Sequence, residues 1–189
     1  MAHEFKMDVT KNGTMLTLDG VVNSEIKYRN FSGKKSDYNP NGDMKFDLVL
    51  DEQSARYLFE QGWRVKKKGL FSDGSYHKTS DLDADCEDAY FFMTVNVNMN
   101  SKNPPKIYRC YDEDEDRMWE LKKNARNVEF DLACVDGDTI VNAELDIYGW
   151  KSRRDGILTP YLDLAIFTVE KGLSGSRFAG RTILSEDDE

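Results

Sequence analysis

The chain has 189 residues and a formal net charge of −9, with 39% hydrophobic and 12% aromatic residues. This length indicates one domain, and no apolar run approaches the ~20 residues that a membrane-spanning helix needs. The N-terminus shows no apolar signal segment, and three distant cysteines (Cys86, Cys110 and Cys134) indicate reduced thiols in a cytosol rather than disulfides or a zinc site.

The negative charge is unevenly distributed along the chain. Residues 1–80 hold 13 Lys and Arg against 11 Asp and Glu, whereas residues 81–189 hold 13 against 24. The acids concentrate in three short runs, at 81–88, 112–116 and 186–189. Because binding depends on the local field rather than on net charge, the acidic total does not exclude a basic groove.

Three regions are predicted from the composition of the chain. Residues 1–13 form a flexible N-terminus, residues 14–170 form one mainly β domain, and residues 171–189 form a mobile tail with an acidic end. Within the domain, residues 15–18 and 21–31 are predicted strands, joined by an Asp19-Gly20 turn.

A strand, a short helix and a second extended run follow a loop at 32–42. Apolar residues alternate with other residues from Met44 to Leu50, which predicts a strand with one buried face. Asp51 has the residue type of a helix N-cap, the helical spacing extends over 54–60, and Gly62 is the expected stop. An extended run begins at Trp63.

The second half of the domain is predicted to be mostly strand. Residues 66–88 are a long polar connection without periodicity, a length typical of functional or disordered segments. The remaining predicted elements are strands at 90–99, 106–111 and 157–169, a helix at 115–125, and a hairpin that joins 128–135 to 139–150. About eight short strands with one or two helices indicate a β barrel or sandwich.

Cations and aromatic rings occur together in three segments. Proteins that bind single strands need cations along the phosphates and flat rings against the bases. Each ring taken alone is more often buried than exposed, but the recurrence in three segments favours binding. The candidate residues are Tyr28, Arg29, Phe31, Lys34, Lys35 and Tyr38 in the first segment, Trp63, Arg64, Lys66, Lys67 and Lys68 in the second, and Tyr148, Trp150, Lys151, Arg153 and Arg154 in the third.

The acidic runs do not form a recognisable metal site. In the run that starts at Asp81, an EF-hand loop would require Gly and Glu where the chain has Cys86 and Phe92. The run at 112–116 is predicted to precede a helix, because acidic side chains interact favourably with the positive N-terminal end of a helix dipole. No nucleophile or nucleotide-binding motif is visible, so no catalytic residue, metal site or cofactor is predicted.

Several short motifs, taken in order, resemble a known family. They are R-N-F-S-G at 29–33, Y-N-x-x-G-D at 38–43, F-x-L-x-L-D at 46–51, G-W-x-V-K at 62–66, P-P-K-I-Y at 104–108, D-I-Y-G-W at 146–150, and G-I at 156–157 leading to Y-L at 161–162. The set is similar to phage-encoded single-stranded DNA-binding proteins with an OB-like fold, over residues 20–170.

The resemblance implies an OB-like Greek-key barrel with one or two short helices and extended loops. It also implies a non-enzymatic protein in the cytoplasm of an infected host cell, which binds single-stranded DNA with little sequence preference during replication or recombination. The acidic end is predicted either to recruit replication or recombination proteins or only to keep the chain soluble. The sequence does not decide whether the protein forms a homo-oligomer.

Two other functions remain as alternatives. A protein-interaction or inhibitor module could use the acidic surface, which the net charge of −9 favours. A metal-dependent nuclease could assemble its carboxylates from scattered positions, and sequence alone does not reveal such a site.

Overall fold

Strands dominate the structure, a computed structural model that describes residues 4–171. Three short 3-10 helices lie at Asn23–Glu25, Val128–Phe130 and Leu132–Gly137. The strands are β1 (Lys6–Thr10), β2 (Met15–Val21), β3 (Ile26–Lys27), β4 (Lys45–Leu50), β5 (Lys66–Leu70), β6 (Tyr76–Thr79), β7 (Glu87–Asn96), β8 (Lys106–Tyr111), β9 (Asp114–Glu120), β10 (Ile140–Lys151) and β11 (Leu158–Val169), and the α-helix is α1 (Glu52–Glu60).

All eleven strands belong to one branched sheet. The main path runs β1-β2-β10-β11-β7-β4-β3; β5 joins β7 to β6, and β8 joins β11 to β9. The mainly β class is therefore confirmed, and the arrangement is compatible with an OB-like fold. The barrel is not closed, because β1 and β3, the two ends of the path, do not pair with each other in the described chain.

The core lies on one face of this sheet, and it contains two rings that the sequence suggested for base stacking. Phe31 is 1% exposed, and its ring centroid lies 5.7 Å from that of Phe46 and 5.6 Å from that of Phe167. Trp63 is also 1% exposed, and its Nε1 donates a hydrogen bond of 3.0 Å to the Gly13 carbonyl. Of the candidate rings, Phe31 and Trp63 therefore belong to the core, which is the alternative that burial statistics favoured for any single ring.

The predicted strand–helix unit is confirmed as β4 followed by α1. Asp51 is the N-cap, since its carboxylate accepts from the Ser54 amide at 2.8 Å. Gly62 has φ +91°, a backbone conformation that favours glycine after a helix end. The predicted strands at 90–99, 106–111 and 157–169 correspond to β7, β8 and β11.

The predicted helix at 115–125 is wrong, because the chain forms β9 there. Register pairs Met118 with Cys110 and Trp119 with Arg109, so β8 and β9 form a hairpin. The Trp119 ring packs against Tyr111 at 5.2 Å between centroids. This tertiary contact outweighs local helical spacing, and the acids at 112–116 lie at exposed positions around the hairpin turn.

The predicted hairpin between 128–135 and 139–150 is also wrong. Two 3-10 helices occupy 128–137, and β10 pairs with β2 and β11 instead. Short polar side chains explain the difference, since they offer the backbone local hydrogen bonds. The Asp131 side chain, for example, accepts from the Ala133 amide at 2.9 Å.

Four further expectations differ from the structure. Strand β1 lies within the predicted flexible N-terminus, and β5 and β6 lie within the predicted polar connection at 66–88. The predicted strand at 21–31 contains a 3-10 helix and only the two-residue β3. Asp19 and Gly20 belong to β2 rather than to a turn. Of the predicted tail, residues 172–189 lie outside the described chain.

Replacing Trp63 with phenylalanine tests its structural role. We expect Trp63→Phe to lower the free energy of unfolding by about 1–3 kcal/mol, because the hydrogen bond to Gly13 is lost and the smaller ring leaves a void. Urea unfolding measures this loss. Because the ring is buried, the affinity of the folded variant for single-stranded DNA should match wild type; weaker binding at unchanged stability would contradict the assignment.

Candidate nucleic-acid interface

The three consecutive lysines at the start of β5 do not point the same way. Side chains alternate across a strand, so Lys66 and Lys68 share one face while Lys67 lies on the other. The Lys67 amine donates to the Leu82 and Ala84 carbonyls at 3.3 and 2.8 Å. These two internal hydrogen bonds disfavour the predicted contact between Lys67 and a DNA phosphate.

Neighbouring strands add further lysines to the face of Lys66 and Lys68. Register places Lys78 of β6 opposite Lys68, and Lys66 opposite Phe92 of β7. Lys45 of β4 is opposite Asn96 of β7, and Lys27 of β3 is opposite Asp47 of β4. Directly opposite residues lie on the same face of a sheet. We call this surface, with Lys27, Lys45, Lys66, Lys68 and Lys78, the lysine face.

Tyrosine rings lie between these amines. The Lys68 amine is 4.9 Å from the ring centroid of Tyr28 and 5.2 Å from that of Tyr76. The Lys27 amine is 4.3 Å from the ring centroid of Tyr90. In a cation–π contact of this kind the amine lies over one face of the aromatic ring. The tyrosine rings and the lysine amines are therefore close neighbours on this surface.

Tyr28 combines a strained backbone conformation with an exposed ring. Its φ is +53°, in the left-handed region that bulky residues rarely adopt, and the side chain is 63% exposed. Strain of this kind costs about 1–3 kcal/mol and is found most often at functional sites. The adjacent Arg29 helps to hold the segment, since its guanidinium donates to the Val135 and Asp138 carbonyls at 3.1 and 2.9 Å.

The loop at 32–42 forms a wall beside the lysine face. Together they enclose a cavity of about 610 Å³ that includes Lys34 and the almost fully exposed Tyr38. The loop is fixed from a distant part of the chain, because the Asp136 carboxylate accepts from the Phe31 amide at 2.7 Å and the Ser32 amide at 3.1 Å. The wall is therefore preformed.

One carboxylate lies among the amines. Asp47 is buried, and its Oδ1 accepts a hydrogen bond of 2.7 Å from the Thr94 hydroxyl. Burial lowers the pKa of the nearby Lys66, the positive charges of Lys78 and Arg64 lower it further, and Asp47 partly opposes them. The lowered pKa therefore reflects burial first and the neighbouring positive charges second.

The hydroxyls of Tyr28 and Tyr90 interact beneath Lys68. This contact is the main reason that the pKa of Tyr28 is lowered, whereas burial, helped by Tyr28, raises the pKa of Tyr90. The buried Tyr90 oxygen has no well-aligned hydrogen-bond partner among the described residues.

A second aromatic group continues the same face towards the β10–β11 hairpin. Tyr161 of β11 is opposite Asn96, and Tyr148 of β10 is opposite Tyr161. The two tyrosine rings are stacked, with centroids 5.6 Å apart and planes 17° apart. Trp150 lies two residues beyond Tyr148, on the same side of β10, and is 63% exposed.

The structure thus divides the predicted site residues into two groups. Arg29, Phe31, Trp63 and Lys67 make the internal contacts described above. The others have exposed or half-buried side chains: Tyr28, Lys34, Lys35, Tyr38, Lys66, Tyr148, Trp150, Arg153 and Arg154. Their contact with DNA stays a prediction.

Five residues of the lysine face were missed at the sequence level: Lys27, Lys45, Tyr76, Lys78 and Tyr90. Lys45 could have been recognised, because the alternating pattern of β4 already places it on the polar side of that strand. The others lie in segments that were predicted as a polar connection or a core strand, and their meeting depends on strand pairing that sequence alone does not provide.

A family model described as "Putative phage ssDNA-binding domain" matches residues 8–129, more than half of the chain. The chain belongs to this family. The resemblance noted above is confirmed, and membership supports single-stranded DNA as the binding partner in general terms. Neither a curated protein nor a solved structure matches the chain. The matched residues include the whole lysine face, whereas β10 and β11 follow them.

Changing Gly42 tests whether the loop wall matters for this family member. A Cβ at Gly42 would collide with the Gly33 carbonyl, and its φ is +68°. Gly42→Ala should therefore displace the wall and weaken single-stranded DNA binding by about tenfold. Gly13→Ala is the matched control, because Gly13 lies between β1 and β2, outside the strands of the lysine face, and has φ +85° but no atom within 4 Å of a Cβ. Fluorescence anisotropy gives both affinities, and equal losses would contradict the role of the wall.

Neutralising Lys66 should stabilise the protein. Its folded pKa is below the unfolded value of 10.5. The unfolded state therefore binds the Lys66 proton more tightly than the folded state does. At a pH below the folded pKa, charged Lys66 destabilises the folded protein by the full amount. This destabilisation disappears as the pH rises from the folded pKa to 10.5. Lys66→Gln should raise the thermal midpoint at pH 7 by roughly 1–3 °C, with a smaller advantage at pH 10. The exposed Lys34→Gln is the control, and a pH-independent advantage would contradict this explanation.

Proposed function

We propose that the chain binds single-stranded DNA along the lysine face, with little sequence preference, and protects transient single strands during phage DNA replication or recombination. The observation that carries this proposal is the alternation of five lysine amines with the rings of Tyr28, Tyr76 and Tyr90 on one face of the sheet. Each part of the face has a counterpart in the chemistry of a single strand.

The amines supply the contacts with the phosphates. A lysine amine is a point charge on a flexible stem, which follows a phosphate backbone without reading base edges. Specific reading of guanine usually requires a free arginine fork. Arg29 is held by backbone carbonyls, and Arg64 pairs with Asp155 at 2.9 Å. These engagements occupy the guanidinium groups of Arg29 and Arg64, so phosphate contacts on the lysine face itself would come from amines, which favours sequence-tolerant binding.

The rings supply the contacts with the bases. Stacking is worth ~1–3 kcal/mol per base and tolerates any sequence, because every base has a flat face. The exposed Tyr28 and Tyr38 lie at the cavity, and Tyr148 and Trp150 would extend the platform along the hairpin. Bases in a duplex are already stacked on each other, so the face should prefer single strands.

The net charge of −9 does not oppose this proposal. Asp47 is a single carboxylate among five amines and accepts a hydrogen bond from Thr94, and the acids at 112–116 lie on the separate β8–β9 hairpin. At physiological ionic strength, charges more than ~8 Å apart are largely screened from each other. The phosphates would therefore respond mainly to the amines of the lysine face.

A gel-shift experiment with and without magnesium separates this proposal from its alternatives. Retarded and intact DNA supports a binding protein, shortened DNA indicates a nuclease, and no effect favours a protein-interaction module. Residues 4–171 contain no group of three or more His, Cys, Asp or Glu side chains placed to hold a metal ion. No helix in the same part of the chain is long and apolar enough to span a membrane.

Charge reversal at the centre of the face is the sharpest test. Lys68→Glu with Lys78→Glu should weaken binding to all sequences by at least about a hundredfold at low salt. Each lost phosphate contact should also reduce the slope of log affinity against log salt by ~0.7. Fluorescence anisotropy over a salt series, with mixed-sequence oligonucleotides, measures both quantities.

The control is Lys6→Glu with Lys122→Glu, which makes the same change in net charge. Both residues are exposed and lie outside the strands of the lysine face. Net charge alone should weaken binding only a few-fold in this variant. Equal losses in the two double variants would show that the lysine face is not the binding site.

A further inference from the structure

A second candidate surface, with the opposite charge, lies on the β8–β9 hairpin. A cavity of about 300 Å³ is bounded there by three rings and by several carboxylates. We call it the acid–aromatic pocket; its rings are Tyr111, Trp119 and Phe130, and its acids are Glu113, Asp114 and Glu129.

The walls of this pocket are preformed. The Trp119 ring centroid lies 5.2 Å from that of Tyr111 and 6.2 Å from that of Phe130, and Trp119 Nε1 donates to the Glu129 carbonyl at 2.9 Å. Arg109 supports the cluster, with its guanidinium carbon 5.2 Å from the Tyr111 ring centroid. Two hydrogen bonds of 2.8 and 2.7 Å fix Arg109 to Asp138. A ligand would therefore need to order little of the protein on binding.

Strand β9 presents an open edge beside this pocket. Among the strands at 4–171, it pairs only with β8. Met118 of β9 is exposed, and so is Phe130 of the pocket, which leaves two large apolar side chains accessible on the strand and in its pocket. Folded proteins usually protect such an edge, and an extended peptide can pair with it through main-chain hydrogen bonds.

The charge of the pocket indicates the kind of segment that fits. Residues 112–116 are five consecutive acids. The two cations of the pocket are already engaged, since Arg117 lies 4.0 Å from Asp114 and Lys171 lies 3.6 Å from Glu113. The surface repels DNA phosphates and attracts a cationic peptide.

We propose that the acid–aromatic pocket docks an extended, cationic segment of a partner protein. A bulky apolar side chain of that segment would contact the ring cluster, its backbone would pair with β9, and its cations would meet the acids of the hairpin. This function is separate from DNA binding, because the pocket shares no residue with the lysine face.

The test uses the full chain and two labelled synthetic peptides. One alternates lysine with leucine around a central phenylalanine, and the other replaces every apolar residue with serine at equal charge. Fluorescence anisotropy at physiological salt should show the apolar peptide binding at least about tenfold more tightly, because the ring cluster provides its anchor site. Equal affinities would show a purely ionic attraction and would overturn the proposal.

A matched pair of variants locates the binding. Phe130→Ser should lower the affinity for the apolar peptide by about tenfold and leave the affinity for DNA unchanged. Phe59→Ser on α1 is the control, since Phe59 is 48% exposed against 42% for Phe130 and also lies near acidic residues. Equal losses of peptide affinity in the two variants would show that the peptide does not bind at the acid–aromatic pocket.

Two other occupants are distinguished by the same measurements. If Arg177→Glu with Phe178→Ala tightens peptide binding about tenfold, the chain's own terminal segment competes for the pocket and the partner assignment fails. If sedimentation shows a dimer that Phe130→Ser dissociates, the pocket belongs to a contact between two copies. Tight binding of the apolar peptide without either result supports the proposal.

Discussion

The two-residue alternation of side chains in a β-strand is the constraint on which the lysine face depends. Crowded amines repel one another, but each exposed pair contributes no more than ~1 kcal/mol. Each large apolar side chain on the opposite face gains ~1.5–3 kcal/mol on burial. Burial of residues such as Phe46, Leu48 and Met93 therefore fixes the register, and the amines are held where the pleat places them.

Local signals were enough to predict part of this fold. The alternation of β4, the Asp51 cap and Gly62 each depend on residues within a few positions, and all three were recognised. Register between distant strands is different, because it is determined by packing. Lys45 meets Asn96, and Lys66 meets Phe92, only through β7. The sequence therefore indicated basic and aromatic segments, but it did not indicate which of their side chains meet on one face.

The two buried rings show the same limit. Phe31 and Trp63 lie beside cations in sequence, as stacking residues do, yet both complete the core. Their neighbours Arg29 and Lys67 donate to backbone carbonyls instead of facing solvent. A ring next to a cation has the same local composition on either face of a sheet. Only the tertiary structure distinguishes the two.

The use of lysine rather than arginine on the proposed DNA surface affects how a bound strand could move. Flexible amines impose no fixed angle, so displacement by one nucleotide would exchange each phosphate for an equivalent one. Between these equivalent positions the barrier should be low, and the protein could diffuse along the strand while remaining bound. Any second protein that advances along the same strand would then displace the bound chain by sliding, before its complete release.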